Sequence, residues 1–495
     1  MPTPNRRRPF VERRGDRWRV RWPDANGDVR SATRDDSGQY FADAVAAEQY
    51  GWAQLGQAAP AKQVEPAEGV TLTAWVNLWW PAQDLSRNTT SNYQWYIEAF
   101  ILPEFGNRLL DSLNTLEIVA WEKGIRKDYV DTTAAAARSL LFTILGDAIL
   151  DPRTGLKTNP AARPPRTRGR RSGRIKRGRA AKKWPAPEDV VLAAERAALL
   201  SGRDLDFVMA VTIAWTGMRW AEIQGMQREY LLKDDIGYFY ELDWQLPEVA
   251  GRFLREPLKT DSYRTHEPDA GISRVDLPPF LRDLLQGVVD AHDGRCECEA
   301  RGRDCGGAGW VFLGPSHGHF RRSNYARRFW HPAWAGVYPA TKRNAVELPE
   351  RPVLVDPRPW PGRLLQAWPT AEPGVPFTPP ATGQSKGRAR IPEDTPLASW
   401  LPVKKGVTPH GLRHGHNTWL EEDRIQRILQ RERMGHREPG MGGRYTHVSD
   451  AMRTELIEAL KRRWWGALGA RRELCPTSPV PLLNRLLNDV EGSTR

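Results

Sequence analysis

The sequence predicts a mostly α-helical chain with small β-sheets, folded as several domains. Three observations predict this class. The length of 495 residues corresponds to about three domains at roughly 100–200 residues each. Apolar and aromatic residues recur at helical spacing over long stretches, whereas strict alternation is confined to short ones. Two segments, one densely basic and one rich in proline, interrupt these patterns and divide the chain.

The elements follow in order. Residues 17–22 read Arg-Trp-Arg-Val-Arg-Trp. On a strand this puts Arg17, Arg19 and Arg21 on one face and Trp18, Val20 and Trp22 on the other. A turn at Asp24–Gly27 leads to a second strand near Val29–Thr33, and an alanine-rich helix from Tyr40 to about Leu55 completes a small sheet-plus-helix module, residues 1–55. Residues 56–69, mostly Ala, Pro, Gln and Glu, read as a linker. Residues 70–160 are a helical domain. Trp75, Leu78 and Trp79 recur at helical spacing, as do Tyr93, Ile97, Phe100 and Ile101, before Pro103–Gly106 stops that helix. Further helices are expected over Leu116–Ile125 and Thr132–Leu150.

Between Arg163 and Lys183 lie eleven Lys/Arg residues and no acid, interspersed with proline and glycine. Such a segment buries no core, so residues 161–184 read as a self-repelling connector. Its Arg170, Arg171, Arg174, Lys176 and Arg177 are candidate phosphate contacts. Residues 185–470 follow as a mixed α/β domain. It contains a cysteine-bearing loop, 292–319, and a proline-rich insertion, 339–409, with fourteen prolines from Pro349 to Pro409. Residues 471–495 are expected as a polar tail with one short apolar helix, Val480–Leu487.

Lys plus Arg total 73 against 60 Asp plus Glu, a net charge of +13. That surplus attracts polyanions, of which nucleic acid is the commonest large one. No apolar run reaches the roughly 20 residues of a membrane span, so no membrane partner is expected. The first eighteen residues, MPTPNRRRPFVERRGDRW, lack the apolar stretch of a secretory signal. Four cysteines are too few for a disulfide framework and suggest a reducing compartment; with a polyanionic partner, the expected location is cytoplasmic and nucleoid-associated. Cys296, Cys298 and Cys305, with His292 before and His317 or His319 after, offer donors for a structural zinc; free cysteines in a loop are the alternative.

Three short segments carry the chemistry. They are Thr216-Gly217-Met218-Arg219-Trp220-Ala221-Glu222-Ile223, then His410-Gly411-Leu412-Arg413-His414, then Gly435-His436 followed nine residues later by Tyr445-Thr446-His447. With Pro257-Leu258-Lys259-Thr260 they resemble, in order and spacing over about residues 207–450, the tyrosine recombinase (phage integrase) family. Its pattern is an arginine in a T-G-x-R-x-x-E-I box, a hairpin lysine, H-x-x-R, G-H, and a tyrosine in a Y-T-H context.

The resemblance implies the parts. Residues 1–55 become an arm-type DNA-binding module with Arg17, Arg19 and Arg21 as contacts. Residues 70–160 become a helical core-binding (SAM-like) domain, which with the catalytic domain clamps DNA. It implies a site-specific recombinase of a phage or integrative element that cuts and rejoins strands through a covalent 3′-phosphotyrosine. Catalytic positions are then Arg219, Lys259, His410, Arg413 and His436, with Tyr445 as nucleophile; Glu222 supports Arg219, and His414, His416 and His447 are structural. No cofactor is required. Expected partners are duplex attachment sites, further protomers in a synaptic tetramer, and an accessory DNA-bending or excision factor. A type IB topoisomerase-like enzyme and a catalytically inactive DNA-binding relative are the alternatives.

The physics of the set is independent of the name. Attack on a phosphodiester builds negative charge on its non-bridging oxygens, and two guanidiniums offer planar, permanently charged donors to them. Histidines donate to the phosphate or move protons, a lysine protonates the leaving 5′ oxygen, and a phenolic oxygen is the nucleophile.

Overall fold

In a computed structural model the described residues are 9–14, 17–23, 29–56, 69–163, 184–258, 274–343, 346–355, 398–436 and 448–493. They belong to two units: residues 1–170 with 344–346, and the remainder.

Alternation at residues 17–22 produces the expected strand. β1 (Phe10–Arg14), β2 (Arg17–Pro23) and β3 (Val29–Ala32) form an antiparallel sheet in that order, with Val20 paired to Val11 and Ala32. Helix α1 (Ala44–Gln54) packs on it, capped by Asp43, whose Oδ1 accepts from the Ala46 amide at 2.8 Å. The approach is close at Gly51, where a Cβ would lie 2.6 Å from Val20 Cγ2. Val20 and Ala47 are fully buried and Phe41 nearly so. The helix starts later than its alanine content suggests, and β1 adds a third strand to the two expected.

The helical part of this unit comprises α2 (Leu72–Trp79), α3 (Arg87–Tyr96) running on through a wide turn at Ile97–Ile101, α4 (Thr115–Asp128) and α5 (Asp131–Ile149). Its tryptophans anchor it by both ring and N–H. Trp75 donates to the Ile144 carbonyl at 3.0 Å, Trp79 to Asp147 at 2.6 Å, and Trp121 to the Phe100 carbonyl at 3.2 Å. Leu78, expected in the same stripe, faces solvent instead. Arg138 is buried against Glu122 at 2.9 Å and donates to the carbonyls of Ala161 and Ala162. The first residues of the expected basic connector are therefore held on this helical core.

The second unit is built around one nearly wholly buried helix. α6 (Pro187–Ser201) leads into α7 (Asp204–Thr216), in which every residue from Asp206 to Thr216 is buried. Such a helix is apolar all round because neighbours cover every side. Those neighbours include α9 (Pro279–Asp290), α10 (Pro409–Glu422) and α12 (Asp450–Leu474), which follow the short α8 (Trp220–Gln224); α11 (Arg427–Arg433) lies between the last two. Trp215 of α7 meets Trp419 and Trp464 edge-on at 5.2 and 5.4 Å, and Phe280 stacks on Trp464 at 4.5 Å. A small antiparallel sheet orders β4 (Leu231–Lys233), β5 (Tyr238–Glu241) and a later strand, Arg274–Leu277, with β5 central. Beyond it β6 (Trp244–Gln245) pairs with Glu256–Pro257, the strand that precedes Lys259.

Two expectations need correction. Residues 471–495, expected as a polar tail with one short apolar helix, do carry that helix as α13 (Pro481–Ser493), but they are no tail: Val480, Leu483 and Leu487 are fully buried in the main core. Arg471 is also buried, paired with Glu195 of α6 through two contacts of 2.5 and 2.7 Å. The three apolar residues, at helical spacing, cover the core from a side that sequence neighbours cannot reveal. The proline-rich stretch is not featureless where it is described: Val353 and Trp400 are buried against α6, and the Arg196 guanidinium lies 4.8 Å from the Trp400 ring centroid. Among the described residues no helix is long and apolar enough to cross a membrane.

Candidate functional site

Each segment of the motif has a local reason for its shape. Thr216 ends α7 with its hydroxyl bonded back to the Thr212 carbonyl at 2.6 Å and accepting from the Met218 amide at 3.2 Å. Gly217 then adopts φ +70, in the left-handed region where a Cβ is costly. A side chain there would also meet His416 Cδ2 at 2.7 Å and Met434 Sδ at 3.1 Å. The turn delivers Arg219 to the start of α8. There the nearly fully buried Glu222 carboxylate accepts from the Arg219 amide and from its Nη1, both at 2.6 Å.

Thr408 caps α10, accepting from the Gly411 amide at 3.1 Å, and Pro409 occupies the first turn, where its missing N–H costs nothing. His410 therefore sits in the first turn, exposed, with Arg413 one turn further and buried. Arg413 donates from Nη1 to the Gly217 carbonyl at 2.7 Å and from Nη2 to the Met434 carbonyl, and lies 3.9 Å from Glu222. One guanidinium thus ties the T-G turn to the end of α11. His436 follows α11 through Gly435, at φ +58, with its amide bonded to the Arg431 carbonyl at 2.8 Å.

Arg219, His410, Arg413 and His436, drawn from three separate stretches of sequence, line one cavity of about 340 Å³ together with His414, Asn417, Glu421, Arg427, Gln430, Arg431 and Met434. Its electrostatics are those of an anion site. Burial, then the neighbouring Arg219, lowers Arg413 to about 10 against the partial compensation of Glu222, and it remains a cation at neutral pH. His436 is held below its ordinary value by partial burial, then by Arg413, Arg219 and Arg431, so its imidazole stays neutral. The rings of His410 and His414 meet edge-on at 4.6 Å.

Sequence reasoning did not single out Arg433. It is fully enclosed behind the cavity, donating to His416 Nε2 at 2.9 Å, the Asp276 carbonyl at 2.9 Å and the Trp215 carbonyl at 2.8 Å. Because Nε2 of His416 accepts, that ring is neutral, and burial drives its pKa well below 6.5. His416 is thereby a structural element, as expected. Nothing in spacing separates Arg433 from Arg427 and Arg431, which line the cavity from the same short helix. Two of the three arginines of β2, Arg17 and Arg19, are engaged within their own module. Arg17 lies against the Tyr40 ring at 3.9 Å, opposite Arg34 at 4.1 Å, and Arg19 bonds Ser31 at 2.8 Å. Lys259, Tyr445, His447, Arg170, Arg171, Arg174, Lys176 and Arg177 lie outside the described residues.

In the cysteine loop, Cys296, Cys298, Cys305 and His319 bring their donor atoms within 4.8 Å of one another. His292 and His317 do not join them. His292 Nδ1 accepts from the Gly294 amide and its Nε2 faces the Val311 carbonyl, each at 3.0 Å, and His317 is exposed beside Asp293.

No protein-family model matches the chain, and no curated protein matches it. Among solved structures it is similar to an integrase fragment of the transposon Tn1549 in complex with transposon right end DNA. That match has TM-score 0.48 and 14% identity over 79% of this chain and all of that one. It is also similar to a lambda integrase dimer bound to a COC′ core site, with TM-score 0.39 and 14% identity over 77% of this chain and 99% of the other. A lambda integrase tetramer on a Holliday junction matches at TM-score 0.38 and 13% identity, covering 89% and 98%. With every TM-score below 0.5, what the site does is read from the cavity's own residues.

Proposed function

We propose that this protein is a site-specific DNA recombinase that cuts and rejoins strands through a covalent 3′-phosphotyrosine, in the service of a phage or integrative element. The observation that carries the reading is the shared cavity of Arg219, His410, Arg413 and His436. Two arginines and two histidines around one space suit a phosphodiester better than any neutral substrate.

In this mechanism Arg219 and Arg413 hold the scissile phosphate by its non-bridging oxygens and stabilise the charge that builds there. The Tyr445 oxygen attacks phosphorus, its proton passing to His436 or His410. The bond from phosphorus to the 5′ oxygen breaks, and that oxygen takes a proton from Lys259. The phosphotyrosine keeps the bond energy, so an incoming 5′ hydroxyl rejoins the strand by the reverse step. Glu222, bonded to both the backbone and the side chain of Arg219, positions that guanidinium. The basic segment 161–184 and the module at residues 1–55 supply further phosphate contacts, and synapsis brings four protomers together with an accessory DNA-bending or excision factor.

The test is a nicked suicide duplex carrying the attachment site, with covalent adduct read on a denaturing gel. Wild type should form adduct, and Tyr445→Phe should form none while binding the duplex nearly as well. Adduct formed by the Phe variant would move the nucleophile elsewhere. Adduct without strand exchange between two duplexes would favour a topoisomerase-like role.

A further inference from the structure

The cysteine loop carries a second site that the strand-transfer chemistry does not use. Three thiols and one imidazole converge there, all four donor atoms within 4.8 Å. In a tetrahedral thiolate site, metal–sulfur bonds of about 2.3 Å place sulfurs roughly 3.8 Å apart. Cys296 and Cys305 already stand at 3.5 Å, far beyond the roughly 2.05 Å of a disulfide. His319 is the informative member. It is only 9% exposed, and neither ring nitrogen has a hydrogen-bond partner. A buried imidazole costs stability when both nitrogens go unsatisfied. Its faces are occupied by the Phe253 ring at 5.1 Å and by the edge of Trp310 at 5.1 Å, so the surroundings supply apolar walls and no polar partner.

We infer that Cys296, Cys298, Cys305 and His319 form a Cys3His structural site for a zinc ion. The donor set selects a tetrahedral, soft-to-borderline cation over calcium or magnesium, which take oxygen ligands. Nearby competitors are accounted for. Glu297, between the first two cysteines, pairs with Arg301 at 2.7 Å, and His292 is spent on backbone groups. The site is walled by Leu246, Phe253, Trp310 and Leu313, and the Cys305 carbonyl accepts from the Arg255 amide at 2.8 Å. The ion therefore ties the loop to itself where it packs on the segment 244–257, and its ligands include none of the residues lining the phosphate cavity.

The experiment uses the full chain purified without chelator. Elemental analysis should find about one zinc per chain, and cobalt exchanged into the site should show the intense visible bands of tetrahedral thiolate coordination. Titrating thiols with a mercurial should release the zinc as the third of the three clustered cysteines reacts. His319→Gln should lower metal retention by at least about tenfold after dialysis against a competing chelator, whereas His317→Gln should leave it unchanged. Folded, metal-free wild type after zinc reconstitution would overturn the inference. So would a pale octahedral cobalt spectrum, or equal metal loss in the two histidine variants. These readouts do not depend on DNA cleavage, so they stand or fall separately from the recombinase proposal.

Discussion

Gly217→Ala tests whether the T-G turn is what holds the two arginines together. The new methyl lies in left-handed backbone, costing about 1–2 kcal/mol. It also overlaps the His416 ring at 2.7 Å and the Met434 sulfur at 3.1 Å, and relieving overpacking of that kind costs about 1–3 kcal/mol. The sum, about 2–5 kcal/mol, should lower the melting temperature by roughly 4–20 °C, because a large unit shifts by about 2–4 °C per kcal/mol. Catalysis should suffer beyond stability. The Gly217 and Met434 carbonyls both hold Arg413, so shifting the turn misaims a guanidinium that has no slack. At a temperature where the variant is still folded, single-turnover adduct formation should fall by at least about tenfold, as expected for misplacement of a charged donor by an ångström or less. Duplex binding, measured by anisotropy, should change little. An alanine variant with wild-type melting and adduct rate would refute the account of the turn.

Arg219→Ala or Arg413→Ala should cost cleavage on the order of 10²-fold or more, with a much smaller loss of binding; equal losses would reduce them to phosphate-positioning residues. His436 is held below 6.5, so the acid limb of the cleavage profile should lie below pH 6.5 and move in His436→Gln; a limb unchanged in that variant assigns the proton to another group. His416 is buried neutral, with its folded pKa far below the unfolded value. The unfolded chain then binds the extra proton, and stability should be full above about pH 6.5 and fall as pH drops below it, which chemical denaturation at pH 5 and pH 8 will check. Deleting residues 1–65 should abolish binding to arm sites and recombination while preserving cleavage of core-site DNA; retained arm binding would show the module has another role.

The parts of the site that were legible in the sequence are those whose reason is local. Thr216-Gly217 announces a helix end, Glu222 three residues beyond Arg219 announces a bonded pair, and His410 and Arg413 are one turn apart on any helix. The Arg17–Trp22 alternation was equally plain, because its period is the strand's own. Arg433 was hidden since its three partners come from residues 215, 276 and 416. Leu78 looked like core by spacing, yet helical spacing marks a stripe without fixing its width, and it lies outside the covered part. The last helix was legible from its three apolar residues, but not its burial, because the groove that they fill is built by residues far away in sequence. His319 was one of two histidines that spacing left equivalent, and only burial and hydrogen bonding separate it from His317.

The buried pair of Arg471 with Glu195 joins residues 276 positions apart, and the cavity arginines are carried on segments separated by nearly two hundred. Contacts that span so much chain are formed late and together, since the entropy of closing such loops is spent before any of them is rewarded. Folding of the second unit should accordingly be slow. A partly folded chain would then have neither its core wall nor its pair of guanidiniums, and so would lack the proposed phosphate site. Late closure of the fold doubles as a safeguard for the proposed activity: the two guanidiniums that the proposed strand cleavage needs are brought together only when the fold is finished.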